Sequence, residues 1–314
     1  MKAVRFHEYG EPEVLRFEDA EQPAPGAGQV RIRVAATSFN PIDAGVRAGS
    51  RRDVMPVALP HTPGRDVAGA VDALGEGVHG LEVGDQVVGF LPMMEDGAAA
   101  EHIVMSAELL TPAPKRVPLA DAAALPLVGL TAWQALFDHG GLAAGQRVLI
   151  NGAGGAVGGY AVQLAKWAGA HVIATASPRS GKSVRDWGAD EVVDHTATEV
   201  VEAVDEPVDL VLNLAPITPE RLAALVTLIR PGGTLVNTTV WMPAPSDEDR
   251  GVRGVDVFVR SDAEQLAQLV ELVDRHELHI DIARRVPLAE LASVHADAAA
   301  GTLPGKVVVL VPSA

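Results

Sequence analysis

Residues 147–180 read RVLINGAGGAVGGYAVQLAKWAGAHVIATASPRS, and the order of residue types in this stretch decides the fold. An apolar run from Arg147 to Asn151 ends on glycines, which reads as a buried strand entering a sharp turn. A helical pattern starts at once and predicts Val157, Ala161, Leu164 and Ala168 on its inner face. A second strand, His171 to Thr175, follows at the distance a strand–helix–strand unit needs. Gly152 permits the turn, Gly155 lets backbone N–H groups approach a diphosphate with no Cβ between, and Gly158 lets the helix lie close on the sheet. The helix N-terminus adds partial positive charge facing the anion. Gly152, Ala153, Gly154, Gly155, Ala156, Val157 and Gly158 are therefore the predicted cradle of a dinucleotide.

The end of the second strand selects between the two nicotinamide coenzymes. An Asp or Glu there accepts from the ribose 2′-hydroxyl of NADH. This chain has Thr175, Ala176 and Ser177, followed by Arg179 and Lys182. Hydroxyls beside a guanidinium and an ammonium suit a 2′-phosphate dianion, so Thr175, Ser177, Arg179 and Lys182 predict NADPH.

Outward from the cradle, strands are expected at Glu191 to Val193, Leu210 to Leu214 and Thr234 to Thr238, alternating with Ala- and Leu-rich helices from about Ala120. Ligands bind at the carboxyl edge of such a sheet, which adds Ala215, Asn237, Thr238 and Thr239 to the cofactor-binding set. The first hundred or so residues are different. Runs such as QVRIRVAATSFNP and GDQVVGFLP read as short strands broken by Gly and Pro. A helix is expected to open at Ser261 with Glu264 completing a capping box, burying Leu266, Leu269, Val270 and Val273. The tail GKVVVLVP reads as a last strand returning to the β-rich part. The fold class is α/β, with a β-rich domain over residues 1–117 and 257–314 and a doubly wound parallel-sheet domain inserted over 118–256.

Whole-chain properties narrow the function. The 314 residues suffice for two cores, and the 48% hydrophobic content contains no run of membrane length. A formal net charge of -16 with no basic block argues against nucleic acid and anionic membrane surfaces. The opening MKAVRFHEYGEPEVL alternates like a strand, not a signal peptide, so a cytoplasmic location is expected. There is no cysteine, which removes disulfides and thiolate ligands. The histidines, His61 and His102 among them, show no metal-ligand spacing and read as surface or hydrogen-bonded groups. No metal is expected.

These segments together resemble the medium-chain dehydrogenase/reductase superfamily, in its zinc-independent quinone oxidoreductase branch. The likeness rests on NPID at 40–43, PGRDVAGAV at 63–71, GDQVVG at 84–89, AAALPLVGLTAW at 122–133 and NGAGGAVG at 151–158. It continues through WGADEVVDH at 187–195, VDLVLNLA at 208–215, RPGGTLVN at 230–237 and GKVVVLV at 305–311. The resemblance implies a GroES-like β domain around a Rossmann domain, with the active site in a cleft between them. Asn40 stands where zinc-dependent relatives carry a cysteine, and Gly64, Arg65 and Asp66 stand in place of their Gly-His-Glu.

By the same resemblance Asn40 donates its amide to a substrate oxygen and Thr131 packs beside the nicotinamide ring, the two forming the expected catalytic pair. Phe258 and Lys306 are assigned nicotinamide-side and cleft contacts. Some relatives carry a tyrosine after NPxD; here AGVRAGSRRDVMP has none, and Tyr9 and Tyr160 are the only two in the chain. Arg47, Arg51 and Arg52 in that stretch form a basic cluster able to draw an anionic substrate. The expected activity is NADPH-dependent hydride transfer to a quinone or α,β-unsaturated carbonyl. The alternatives are an enoyl-thioester reductase of fatty-acid or polyketide type and a weakly catalytic NADPH-binding sensor. A homodimer is expected, with VNTTVWMPAP at 236–245, around Val240, as its edge.

Overall fold

A computed structural model describes residues 1–239 and 241–312; Val240, at the centre of the expected dimer edge, lies outside the described residues. Two compact units emerge. The first comprises Met1–Leu127, Arg260–His276 and the chain from Ile280; the second comprises Val128–Val259 and Glu277–His279. Residues 118–127, expected in the nucleotide domain, fall in the first unit, where Leu127 N–H donates to Asp66 Oδ1 at 2.7 Å.

The second unit holds a six-stranded parallel sheet in the order Glu191–Asp194, His171–Ala176, Arg147–Asn151, Val208–Asn213, Ile229–Asn237, Arg253–Asp256. Two expected strands end one residue early, at Asn213 and Asn237, with Leu214 and Thr238 still donating backbone N–H groups to Asn151 O and Asn213 O. The sixth strand was not legible, since RGVD has no alternation. It forms where Gly254 lies flat against the 244–245 backbone, and a Cβ there would stand 2.5 Å from Ala244 O.

The cradle helix, Ala156–Trp167, is buried over the continuous run Gly158–Ala165. A single apolar stripe through Val157 and Ala168 was expected, but both are only half-buried. The middle of the helix is buried all round because its outer side is covered too. Trp187 presses on Gly159, and Gln163 exchanges hydrogen bonds with the His279 backbone, accepting from its N–H at 2.8 Å.

In the first unit a seven-stranded sheet runs Arg284–Pro287, Val307–Leu310, Gln29–Ser38, Asp66–Leu74, Gln86–Phe90, Leu110–Pro112, with His102–Ser106 also paired to Gln29–Ser38. The tail strand returns as expected, pairing Val308 with Ser38 and Leu310 with Ala36. Alternate residues Val30, Ile32 and Val34 join Ile103, Met105, Val307 and Val309 in the core. The helix after residue 260 spans Ala263–Asp274. Its cap is shifted from the expected Ser261–Glu264 pair: Asp262 accepts from Gln265 N–H, while Ser261 Oγ donates to Phe90 O. Leu266, Leu269, Val270 and Val273 are buried.

Candidate functional site

In the second unit the glycine turn is shaped by close backbone approach. Gly152 sits at φ 90°, which favours glycine, and a Cβ would meet Ala215 N at 3.0 Å. A Cβ on Gly158 would stand 2.3 Å from Ala153 O, so this glycine lets the helix start against the turn itself, not against the sheet. One on Gly154 would meet Ser180 Oγ at 2.3 Å. Gly155 shows no such crowding; it is exposed and caps the helix without any side-chain bond. The N–H groups of the first helical turn, over Ala156 and Val157, are therefore left for an anion.

Thr175 is 1% exposed, and its hydroxyl serves the turn: Gly152 N–H donates to Oγ1 at 2.8 Å, and Oγ1–H donates to Asn151 Oδ1 at 2.9 Å. Ser177 and Ser180 close the next turn, with Ser177 N–H donating to Ser180 Oγ. Arg179 is exposed beside it, and Lys182 is paired with Asp186. Gly152, Thr175 and Ala215 line one cavity of about 420 Å³ together with Asn151, His195 and Arg221. Beyond it, Asn237 and Thr239 are buried and bonded to each other, and Thr238 Oγ1 donates to Asn213 O. Thr131 is 7% exposed on the helix Pro126–Trp133, whereas Phe258 is 63% exposed.

The first unit concentrates charge instead. Asn40 precedes the helix Pro41–Ala48, and Asp43 reaches back to accept its backbone N–H at 2.9 Å. The Asn40 side chain is engaged through its oxygen and one amide hydrogen. Its Nδ2 donates to Asp66 Oδ2 at 2.8 Å, and its Oδ1 accepts from Lys306 Nζ at 2.7 Å. Asp66, 0% exposed, also accepts from Ser38 Oγ and Leu127 N–H. Arg65 donates to the carbonyls of Pro92 and Glu95, with Nε 3.8 Å from Asp43 Oδ1. Burial dominates the titration of this web. It lifts Asp43 to about 6 against the pull of Arg65, and lowers Lys306 against the pull of Asp66. His61, expected as a surface or hydrogen-bonded group, is 2% exposed and contacts Arg65 Nη2; burial, then the Arg65 charge, brings it down to about 4.

The basic cluster is corrected. Arg47 is 3% exposed on the inner side of its helix and donates to Gly10 O, while Arg52 is exposed next to Asp53. Helical geometry sends residue 47 inward and leaves residue 52 in the following turn, so the three do not act as one patch.

Residues 26–115 match the alcohol dehydrogenase GroES-like domain family, and residues 187–309 match the zinc-binding dehydrogenase family. A chloroplast envelope quinone oxidoreductase homolog of Arabidopsis thaliana is 33% identical over 98% of both chains. A mitochondrial NAD(P)H oxidoreductase of Mus musculus is 33% identical over 98% of this chain and 89% of its own. The quinone oxidoreductase from Coxiella burnetii superposes with TM-score 0.90, 30% identity and 99% coverage of each chain. The chain belongs to the medium-chain dehydrogenase/reductase superfamily, quinone oxidoreductase-like. This dehydrogenase/reductase is thus an oxidoreductase with a nucleotide-binding unit.

The zinc named in one family description has no donor set here. The chain has no cysteine, and among the described residues no group of three or more His, Cys, Asp or Glu side chains stands ready to hold a metal. A dinucleotide fits better: the uncapped helix start, the crowded glycines and the neighbouring cavity are what a diphosphate and its adenosine require. Sequence reasoning missed Asn151, Asn213, His195 and Arg221. The first two carried a signal, an Asn closing an apolar run in LIN and again in LVLN.

Proposed function

We propose that this chain is an NADPH-dependent, zinc-independent oxidoreductase that delivers hydride to a quinone or an α,β-unsaturated carbonyl. The observation that carries it is the uncapped glycine turn beside a strand end that bears no carboxylate, in a chain whose relatives are named quinone and NAD(P)H oxidoreductases. Bound NADPH supplies the hydride.

In this reading the N–H groups of the first helical turn, at Ala156 and Val157, hold the diphosphate, while Gly155 N–H stays with Gly152 O. Ser177 and Arg179 take the 2′-phosphate, and Lys182, already paired with Asp186, contributes less. Ala215, Thr238, Thr239 and Phe258 line the path toward the nicotinamide, with Thr131 beside its ring. Asn40 has one amide hydrogen committed to Asp66 and offers the other to the substrate oxygen as negative charge gathers there. Lys306 fixes the orientation of that amide. Burial of Arg47 breaks up the basic cluster that could have drawn an anionic substrate such as a carrier-linked enoyl thioester. A cytoplasmic homodimer belongs to the same proposal.

Arg179→Ala tests the coenzyme choice. NADPH affinity should fall about tenfold or more, equivalent to about 1.4 kcal/mol, with NADH affinity changed by less than about twofold. Equal losses on both coenzymes would count against a 2′-phosphate contact. Steady-state NADPH oxidation over a panel of quinones and enones tests the reaction, and no turnover on any of them would end it.

A further inference from the structure

Five polar side chains stand at one level across five neighbouring strands of the nucleotide-unit sheet. Register pairs Asn151 with Asn213, Asn213 with Asn237, and Asn237 with Asp256; Thr175 follows on the other flank, one residue beyond the pairing of Ile150 with Ala174. Their hydrogen bonds all run one way. Gly152 N–H donates to Thr175 Oγ1, Thr175 Oγ1–H to Asn151 Oδ1, Asn151 Nδ2 to Asn213 Oδ1 at 2.8 Å, Asn213 Nδ2 to Asn237 Oδ1 at 2.9 Å, and Asn237 Nδ2 to Asp256 Oδ1 at 3.0 Å.

The direction is imposed from the edge. A carboxylate only accepts, and Asn237 Nδ2 also meets the carbonyls of Met242 at 2.7 Å and Thr239 at 3.2 Å, so its amide can point only one way. Asn237 Oδ1 must then accept, which turns Asn213, which turns Asn151. The Thr175 hydroxyl is left to donate to Asn151 and to receive Gly152 N–H. Aligned amide dipoles strengthen one another in a buried setting, and Asn213 and Asn237 are both 0% exposed. At about 4.8 Å per strand, Asn213 acts on Thr175 across roughly 10 Å.

Asn213 and Asn237 also pin the loops that follow their own strands, Asn237 through the carbonyls of Thr239 and Met242. Asn213 Nδ2 reaches Ala215 O, next to the point where the Gly152 turn makes its closest approach. We propose that this directional ladder sets the shape of the Gly152 turn, with Asn213 as its central positioning residue for dinucleotide binding. The proposal rests on the coenzyme reading above and deepens it: Thr175 works through the turn, not on the 2′-phosphate.

Asn213→Asp keeps the shape and the acceptor facing Asn151 but puts an oxygen where the donor to Asn237 stood. Affinity should fall about tenfold for NADPH and NADH alike, because the turn they share is displaced. Thr175→Val should also weaken both equally, with Thr175→Ser restoring most of the loss. In the double variant Asn213→Asp/Thr175→Val the losses should not multiply, since the two residues share one chain of bonds without touching. The Gly152 amide resonance should move in Asn213→Asp. A lower melting temperature with both affinities within twofold of wild type overturns the proposal, as do multiplicative losses or a loss confined to NADPH. Should wild type bind neither coenzyme, the proposed function fails, and the Gly152 resonance still decides the ladder: a shift supports it, no shift overturns it. Asn213→Ser, read the same way, serves if the aspartate variant does not fold.

Discussion

The two units solve the same problem, holding polar groups in a dry interior, with opposite chemistry. Asp43, Arg65, Asp66 and Lys306 in the first unit are ionisable groups, each 5% exposed or less. Neutral amides and a hydroxyl do the work in the second unit, and Asp256, the ladder's one charge, stays in contact with solvent. The lesson is one of cost. A buried charge depends on its partners for several kcal/mol, whereas a buried amide needs only its hydrogen bonds. The first arrangement titrates strongly; the second has nothing inside it to titrate.

Removing one carboxylate should separate the two most sharply. Asp66→Ala strands Lys306, Asn40, Ser38 and Leu127 N–H, and should cost about 3–5 kcal/mol in denaturant unfolding of the first unit. A loss under about 1 kcal/mol would mean that Lys306 simply sheds its proton.

Acid provides the next test. His61 and His295 have folded pKa values of about 4 and about 3, below the ordinary 6.5, in both cases mainly through burial. For each, unfolding takes up a proton once the pH drops below 6.5, so stability is full above that value and lost as pH falls toward the folded value. Asp43, raised from 3.8 to about 6, has the opposite sign: its destabilising burial is complete above pH 6 and relieved on acidification. Between pH 6 and 4 the three groups leave a net uptake of one proton, a loss of about 1.4 kcal/mol per pH unit. His295 has no hydrogen-bond partner on either ring nitrogen, so His295→Leu removes one proton from the balance cleanly. The slope of its unfolding free energy should be shallower than wild type by about 1.4 kcal/mol per pH unit over that window; an unchanged slope would show that His295 does not titrate there. The buried amides and hydroxyl of the ladder add nothing to such a slope, since none of them titrates.

The smallest effect is expected at the surface. Lys182 and Asp186 form an exposed i,i+4 pair, and Lys182→Ala should cost about 0.3–0.5 kcal/mol of stability. A cost above about 1 kcal/mol would mean that the solvated rim carries more than the contrast between the interiors allows.

Much of the second unit was legible because its signals are local. The strand at 147–151, the glycines and the start of the helix follow from chain stiffness and periodicity within a dozen residues. The strand Arg253–Asp256 was not, since it exists only because the 244–245 backbone leaves room for Gly254 and nothing larger. Arg47 misled for a related reason: its charge suggests solvent, but its place on the helix turns it inward. Asn40 was singled out as a donor to a substrate oxygen, but its partners Asp66 and Lys306 lie 26 and 266 residues away, beyond any spacing rule.

The sequence by itself determined that a glycine turn would be followed by a helix, that no thiolate metal site exists, and that the tail would be a strand. These depend on residue type and near neighbours. Only the tertiary structure decided which asparagines share a level of the sheet, which carboxylate meets which cation, and that His295 is buried without a hydrogen-bond partner. Strand order brings 151, 213 and 237 side by side although the chain separates them. Hydrogen bonds and ion pairs act over a few ångströms, so their partners are fixed by packing and not by distance along the chain.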